Sequence, residues 1–257
     1  MENALLVGLS RQMALGRQLD IVANNIANID TTGFKADNAA FSHYLMPGAS
    51  DGQFSGRDRR VDFVQDRASW TDMSPGALSH TGNPLDVAID GKGFFAVQTP
   101  RGQRYTRDGS FVINSSGQLV TPEGDQVLGT GGPIVFQAND HNVSISGSGV
   151  ITVREGAGIQ DVPRGQLQIA SFDQPQRLRK DGSSEFVPPN GVNAGPAPQG
   201  TRIVQGAIEK SNVNGVAEMA HMIRITRSYS DIAAILQQQG DERRNALQQL
   251  AQAPASS

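Results

Sequence analysis

The stretch ANNIANIDTTGF, residues 23–34, places three asparagines inside an apolar helical rhythm that normally excludes them. Asparagine competes with the backbone for hydrogen bonds and is a poor helix-interior residue. Leu15, Leu19, Val22, Ile26 and Ile29 nevertheless keep the alternating four-and-three spacing of a continuous helical stripe. Amides at Asn24, Asn25 and Asn28 beside that stripe predict fixed hydrogen bonding across a helix interface rather than a wet helix end. The run Asp30-Thr31-Thr32-Gly33 then breaks the helix. Gly33 suits a left-handed cap, and Phe34 follows it.

Reading towards the N-terminus, the same helix extends back to residue 3. Leu5, Leu9, Gln12, Gly16, Leu19, Ala23 and Ile26 form a heptad seam, and no aromatic residue precedes Phe34. A helix of this kind is marginal alone, because packing supplies most helix stability. It requires a partner, and the far end of the chain offers one. After Asn214 a second helix is expected to about Leu250, with Met219, Met222, Thr226, Tyr229, Ala233, Leu236 and Gly240 spaced by three and four. At a rise of 1.5 Å per residue it would be about 55 Å long, more than a globular domain of this size requires.

Between the helices the texture is that of a β-protein. The 257 residues include 29 glycines and 13 prolines, which points to many turns, while the 37% hydrophobic share argues against one large core. Residues 34–75 form a connecting segment, with a strand expected at 61–64 and a loop over 47–60. Residues 76–187 carry short strand candidates separated by turn clusters at roughly 8–12-residue spacing, the pattern of an antiparallel sandwich or barrel. Leu85, Val87 and Ile89 alternate with Asp86, Ala88 and Asp90 as in a half-buried strand. Residues 188–210 read as a linker and a return strand, and 211–257 as the C-terminal helix with its approach. The fold class is therefore α+β: an N-terminal helical segment over 1–33 and its C-terminal counterpart pair like a coiled coil around a central, mostly antiparallel β-domain.

Several chemistries are excluded by composition and spacing. Without cysteine there are no disulfides, thiol nucleophiles or cysteine metal sites. The net charge of -3 leaves no nucleic-acid footprint. Residues 1–35 carry three charges of each sign and 209–250 five of each, so both helical ends are neutral. No apolar run reaches bilayer length, and the start has neither the basic residues nor the apolar length of a signal peptide, so composition alone predicts a cytosolic protein. His43, His80, His141 and His221 lack ligand spacing, which speaks against a metal. Gly91-x-Gly93 precedes Phe94-Phe95, a strand rather than a helix, so it reads as a tight turn and not a nucleotide loop. Asp86 and Asp90 read as solvated strand carboxylates, and no nucleophile motif is present. No catalytic, cofactor-binding or small-molecule site is expected.

Five motifs in order resemble one family. Residues 23–37, ANNIANIDTTGFKAD, look like the N-terminal signature of bacterial flagellar rod and hook proteins. Residues 76–97, GALSHTGNPLDVAIDGKGFFAV, and 105–129, YTRDGSFVINSSGQLVTPEGDQVLG, resemble its body motifs, with a weaker match over 165–186. Residues 206–229, GAIEKSNVNGVAEMAHMIRITRSY, resemble its C-terminal signature, although Ser230 and Ala234 replace a usual glutamate and a frequent lysine. Hook subunits are much longer and two inner-rod subunits lack the β-body, leaving the proximal and distal rod proteins; both ends of the chain look more like the proximal type.

The resemblance implies a structural subunit that polymerises with copies of itself and other rod proteins into the hollow shaft that transmits torque to the hook. It implies passage through the flagellar type III export apparatus without a cleaved signal, which revises the cytosolic expectation. The implied assembly residues are Asn24, Asn25, Ile26, Asn28, Thr31, Thr32, Gly33 and Phe34 at one end. At the other they are Ser211, Asn212, Val213, Asn214, Glu218, Met219, Met222, Arg227 and Tyr229. A rival of another class is a secreted β-domain, binding or hydrolytic, with helical oligomerisation arms.

Overall fold

The computed structural model describes residues 2–47, 60–156, 158, 160–182 and 184–252. Two helices frame the chain, α1 (Glu2–Ala27) and α2 (Gly215–Gln252), with short strands between them. The fold class is α+β. The chain divides into two compact units. The first gathers α1 to Ile26, residues 37–70 and α2; the second gathers residues 27–36 and 71–214.

In the first unit, β1 (Asp37–Pro47) and β2 (Arg60–Thr71) form a two-stranded sheet. β2 is longer than the strand expected at 61–64. β1 was not expected at all, because DNAAFSHYLMP shows no period-two alternation. The loop read over 47–60 lies outside the described residues except at its two ends. Among the described side chains of α1, residues 7–27, the buried ones are Ala14, Val22 and Asn25, while Leu9 and Ala23 of the expected seam are exposed. The helix is turned because Asn25 is drawn inwards by the backbone of Asp37. Along α2 the covered stripe runs through Glu218, Met222, Ile225, Tyr229, Ile232 and Leu236, again spaced by four and three. It shares Met222, Tyr229 and Leu236 with the expected seam, but Met219 and Thr226 face solvent. The helices pass close to one another at Gly8, where an added Cβ would lie 2.5 Å from Leu236 Cδ2.

The second unit is built on an antiparallel ten-stranded sheet. Phe94–Thr99 pairs with Gly102–Thr106 on one side and with Gln126–Gly129 and Ile169–Ser171 on the other. A three-stranded sheet of Asp140–Ile145, Val150–Glu155 and Asp161–Gln166 completes the larger core, in which Val87, Phe95, Val97, Val127, Ile151 and Val153 are fully covered. A second core joins Phe94, Tyr105, Phe172 and Phe186 through edge-to-face ring contacts at 4.9–5.9 Å, the spacing at which aromatic quadrupoles attract.

The late part of the chain returns to the early part. Arg202–Gln205 pairs with Val87–Asp90, and Ala207–Glu209 pairs with Leu78–His80. Val87, Ala88 and Ile89 are all buried, so this strand is covered on both faces rather than half-exposed as its alternation suggested. Asp86 also departs from expectation. It is buried and accepts hydrogen bonds from Thr81 Oγ1 (2.6 Å) and Asn83 Nδ2 (2.8 Å), which makes it the centre of a turn rather than a solvated charge.

Candidate functional site

Both terminal signatures enter the second unit, one as a turn and short run over residues 31–36 and the other as an extended segment over 207–213, and there they are joined. Thr31 O accepts from Phe34 N (3.3 Å), closing a turn whose third residue, Gly33, has φ +69. That conformation favours glycine strongly, as in type II turns. Space also demands it, since a Cβ at Gly33 would stand 2.3 Å from the Asp108 backbone nitrogen. The turn is thus pressed flat against residues 107–108. Gly33 N donates to Glu209 O at 2.8 Å, fixing the N-terminal segment to the returning strand. Gly33 serves this turn, six residues beyond the helix, and not the helix cap expected of it.

The neighbouring Lys35 and Glu209 are each about 1% exposed and lie 174 residues apart in sequence. Lys35 Nζ donates to Glu209 Oε1 (2.5 Å) and to Ser74 O (2.7 Å). Arg107 Nη1 donates to Glu209 Oε2 (2.9 Å) and Ile89 O (3.2 Å), and its Nη2 to Gly91 O (2.8 Å). Gly76 N supplies a further donor to Glu209 Oε1 at 2.9 Å. The Arg107 guanidinium lies 5.3 Å from the centroid of Phe94, a cation–π arrangement that covers its flat face. Burial holds the Lys35 ammonium below the usual lysine range, and the Glu209 carboxylate opposes that shift. Removing charges from water is costly, and the pairing of most of these donors and acceptors offsets that cost, with Arg107 Nε the one buried donor of the three side chains that lacks a partner.

Asn212 completes the joint. Its Oδ1 accepts from Ala36 N (2.7 Å), and its Nδ2 donates to Asp72 O (2.9 Å) and Ser74 O (3.2 Å). One side chain thereby ties three backbone segments. Lys180 Nζ donates to Lys35 O (2.6 Å) and lies 3.8 Å from the Phe34 ring centroid, while Ser184 Oγ donates to Thr32 O (3.0 Å).

The expected assembly residues fall into separate groups. Thr31, Thr32, Gly33 and Phe34 meet the segment containing Ser211, Asn212 and Val213 in the second unit, and Asn28 Oδ1 accepts from Thr31 Oγ1 there (3.1 Å). Asn25 belongs to the first unit, where its Nδ2 and Oδ1 pair with the carbonyl and N–H of Asp37, both at 2.9 Å. Its partner is therefore a strand backbone of the same chain and not another helix. Asn24 and Asn214 are exposed and Ile26 is half-buried. On α2, Glu218, Met222 and Tyr229 are half-buried, and Met219 and Arg227 are exposed. Lys35, Arg107, Lys180 and Glu209 were not anticipated. The first, second and fourth stand inside the quoted motifs FKAD, YTRDG and GAIEKSN, but isolated charges there gave no sign of one another.

The chemistry of this network is cohesive. Arg107 and Glu209 border a groove of about 920 Å³ lined by Met73, Phe94 and Phe172, where they pair with each other while Arg107 Nε stays buried without a hydrogen-bond partner. Among the described residues no group of three or more His, Asp or Glu side chains could hold a metal. No described helix is long and apolar enough to cross a membrane.

Known proteins share these segments. Residues 5–35 match the family described as "Flagella basal body rod protein". Residues 88–153 match "Flagellar hook protein FlgE/F/G D1 domain", and residues 204–250 match "Flagellar basal body rod FlgEFG protein C-terminal". The flagellar basal-body rod protein FlgF of Caulobacter vibrioides is 37% identical over 264 residues, covering 97% of this chain and 98% of that one. The chain belongs to the flagellar basal-body rod protein family. FlgF of Mesorhizobium japonicum is 34% identical with 93% of both chains covered. FlgG of Buchnera aphidicola subsp. Baizongia pistaciae is 35% identical with 82% of this chain and 85% of its own covered. Within the family the chain is FlgF-like, since the FlgF relatives span nearly all of it. The first and third matched segments meet at the Lys35–Glu209–Arg107 network.

Proposed function

We propose that this protein is a structural subunit of the flagellar rod that stacks with copies of itself and other rod proteins into the shaft carrying torque to the hook. The observation that carries the reading is the union of the two family signatures by buried ion pairs. A subunit loaded in torsion needs the roots of its terminal segments held to its body by contacts that water cannot exchange, and matched buried charges with backbone hydrogen bonds supply them. The subunit is not an enzyme in this reading and takes no cofactor. Its terminal helices pair as a coiled coil, which the approach of Gly8 to Leu236 supports. The assembly residues are those of the two signatures, with Lys35, Arg107 and Glu209 added as the elements that position them. Its division follows the sequence segments 1–33, 34–75, 76–187, 188–210 and 211–257. The chain reaches the periplasm through the type III export apparatus.

The test is complementation. A strain deleted for its own copy of this gene is supplied with the full-length chain, and basal bodies are purified and probed for it. Restored motility and co-purification with the rod are expected. Motility restored without the protein in basal bodies would refute a structural role.

A further inference from the structure

In the first unit Glu218 stands in a small cleft with Asn25, Gln18, Asp37 and His221. Its Oε2 is covered, and among the described residues it has no hydrogen-bond partner and no lysine or arginine lines the cleft. Glu218 itself is half-buried, so one oxygen of its carboxylate is covered without a donor while the residue still borders the cleft; a covered acceptor left undonated is costly, and the isolated chain leaves this site incomplete. The opposite face of the same helix is incomplete in the complementary sense. Val216, Met219 and Ile223 are 81%, 54% and 54% exposed, and with Arg227 they follow one another at three, four and four residues, forming one outward stripe. Arg227 is exposed, and among the described residues it has no ion pair or hydrogen bond. Nine helical residues, about 13.5 Å of rise, separate it from Glu218, so the two cannot meet on one helix.

We infer that Glu218 of one subunit receives the Arg227 guanidinium of a second copy, whose Val216–Met219–Ile223 stripe docks beside the cleft. The inference rests on the rod-subunit reading and adds the contact that orders successive copies. The two surfaces are different and lie on opposite faces of α2, so their union is heterologous and leaves a free surface of each kind at the ends of any stack. That is the geometry an open-ended assembly needs. A guanidinium matches the occupant well because its planar fork can bind a carboxylate through two parallel hydrogen bonds.

The experiment uses full-length variants in the deletion strain, read as motility and as the amount of the protein in purified basal bodies. Glu218→Arg and Arg227→Glu are each expected to reduce incorporation about tenfold or more, as loss of a buried interfacial charge pair does. The combination of both substitutions in one chain restores it, because every junction regains opposite charges. Each variant is checked as a purified chain by circular dichroism, so that failure to fold is separated from failure to assemble. Incorporation of Glu218→Arg equal to the parent, or a double variant no better than the singles, overturns the inference while leaving the rod reading intact. A parent chain absent from basal bodies overturns both.

Discussion

Replacing Glu209 with Gln keeps the shape of the side chain and removes the charge on which the buried network depends. Lys35 Nζ at 2.5 Å and Arg107 Nη1 at 2.9 Å would then face an amide, one end of which presents donors to donors. Hydrogen bonds to charged groups contribute about 1.5–3 kcal/mol each. Removing one member of a buried ion pair costs about 3–5 kcal/mol, because the remaining cations are left uncompensated. Bonds from Gly76 N to the side chain and from Gly33 N to the Glu209 carbonyl can persist, so the lower end of that range applies if the cluster relaxes. With a urea dependence of about 2 kcal/mol per molar, the unfolding midpoint of the second unit falls by about 1.5–2.5 M. Because two units need not unfold together, the transition should be followed by hydrogen-exchange protection of the strand Phe94–Thr99. Asp161→Asn serves as the comparison, since its partner Arg154 and Asp161 are 47% and 61% exposed and such pairs contribute about 0–1 kcal/mol. A Glu209→Gln loss no larger than that of Asp161→Asn would refute the assignment of the network as the main fastening.

Three further outcomes follow from the same geometry. Gly33→Ala should cost about 2–4 kcal/mol by thermal or urea unfolding, combining an unfavourable positive φ with overlap against the Asp108 backbone, and an unchanged midpoint would contradict the turn. Asn25→Leu should lower the protection of the Asp37 amide and destabilise the first unit by about 1–3 kcal/mol, whereas exposed Asp20→Ala should do little; equal effects would count against the side-chain pairing. Burial, aided by Asp125, Glu123 and Asp181, pushes the Glu185 carboxyl up to about 7. The folded state therefore holds this proton where the unfolded state has released it, and stability declines as pH rises from about 4.5 through 7. Exposure and screening reduce the effect to on the order of 1 kcal/mol, and melting curves of Glu185→Gln should lack that slope.

How much could be read in advance depended on how local each signal was. The apolar spacing along residues 3–29 and from residue 219 onwards marked both helices, because a helical face repeats within a few residues. The spacing did not fix which face is covered. Asn25 is among the most buried residues of α1 because a strand backbone satisfies its amide, and that strand, DNAAFSHYLMP, carries no alternation to announce itself. The turn at Gly33 was visible as a break, but its role was misplaced, since its glycine requirement comes from Asp108, far along the chain. Lys35, Arg107 and Glu209 were invisible for the same reason. A lone charge normally reads as surface, and only folding shows that these three share one interior.

The 174 residues between Lys35 and Glu209 also set an order of events in time. A chain that emerges N-terminus first has Lys35 and Arg107 in hand long before the carboxylate that neutralises them. The strands Val87–Asp90 and Leu78–His80 likewise wait for Arg202–Gln205 and Ala207–Glu209. Early segments can collapse, but the body cannot close until just over four-fifths of the sequence is present, and contacts of such long range form slowly. The last residues to arrive before α2 are thus the ones that lock the first residues after α1, which keeps the polypeptide pliable until almost all of it has been delivered.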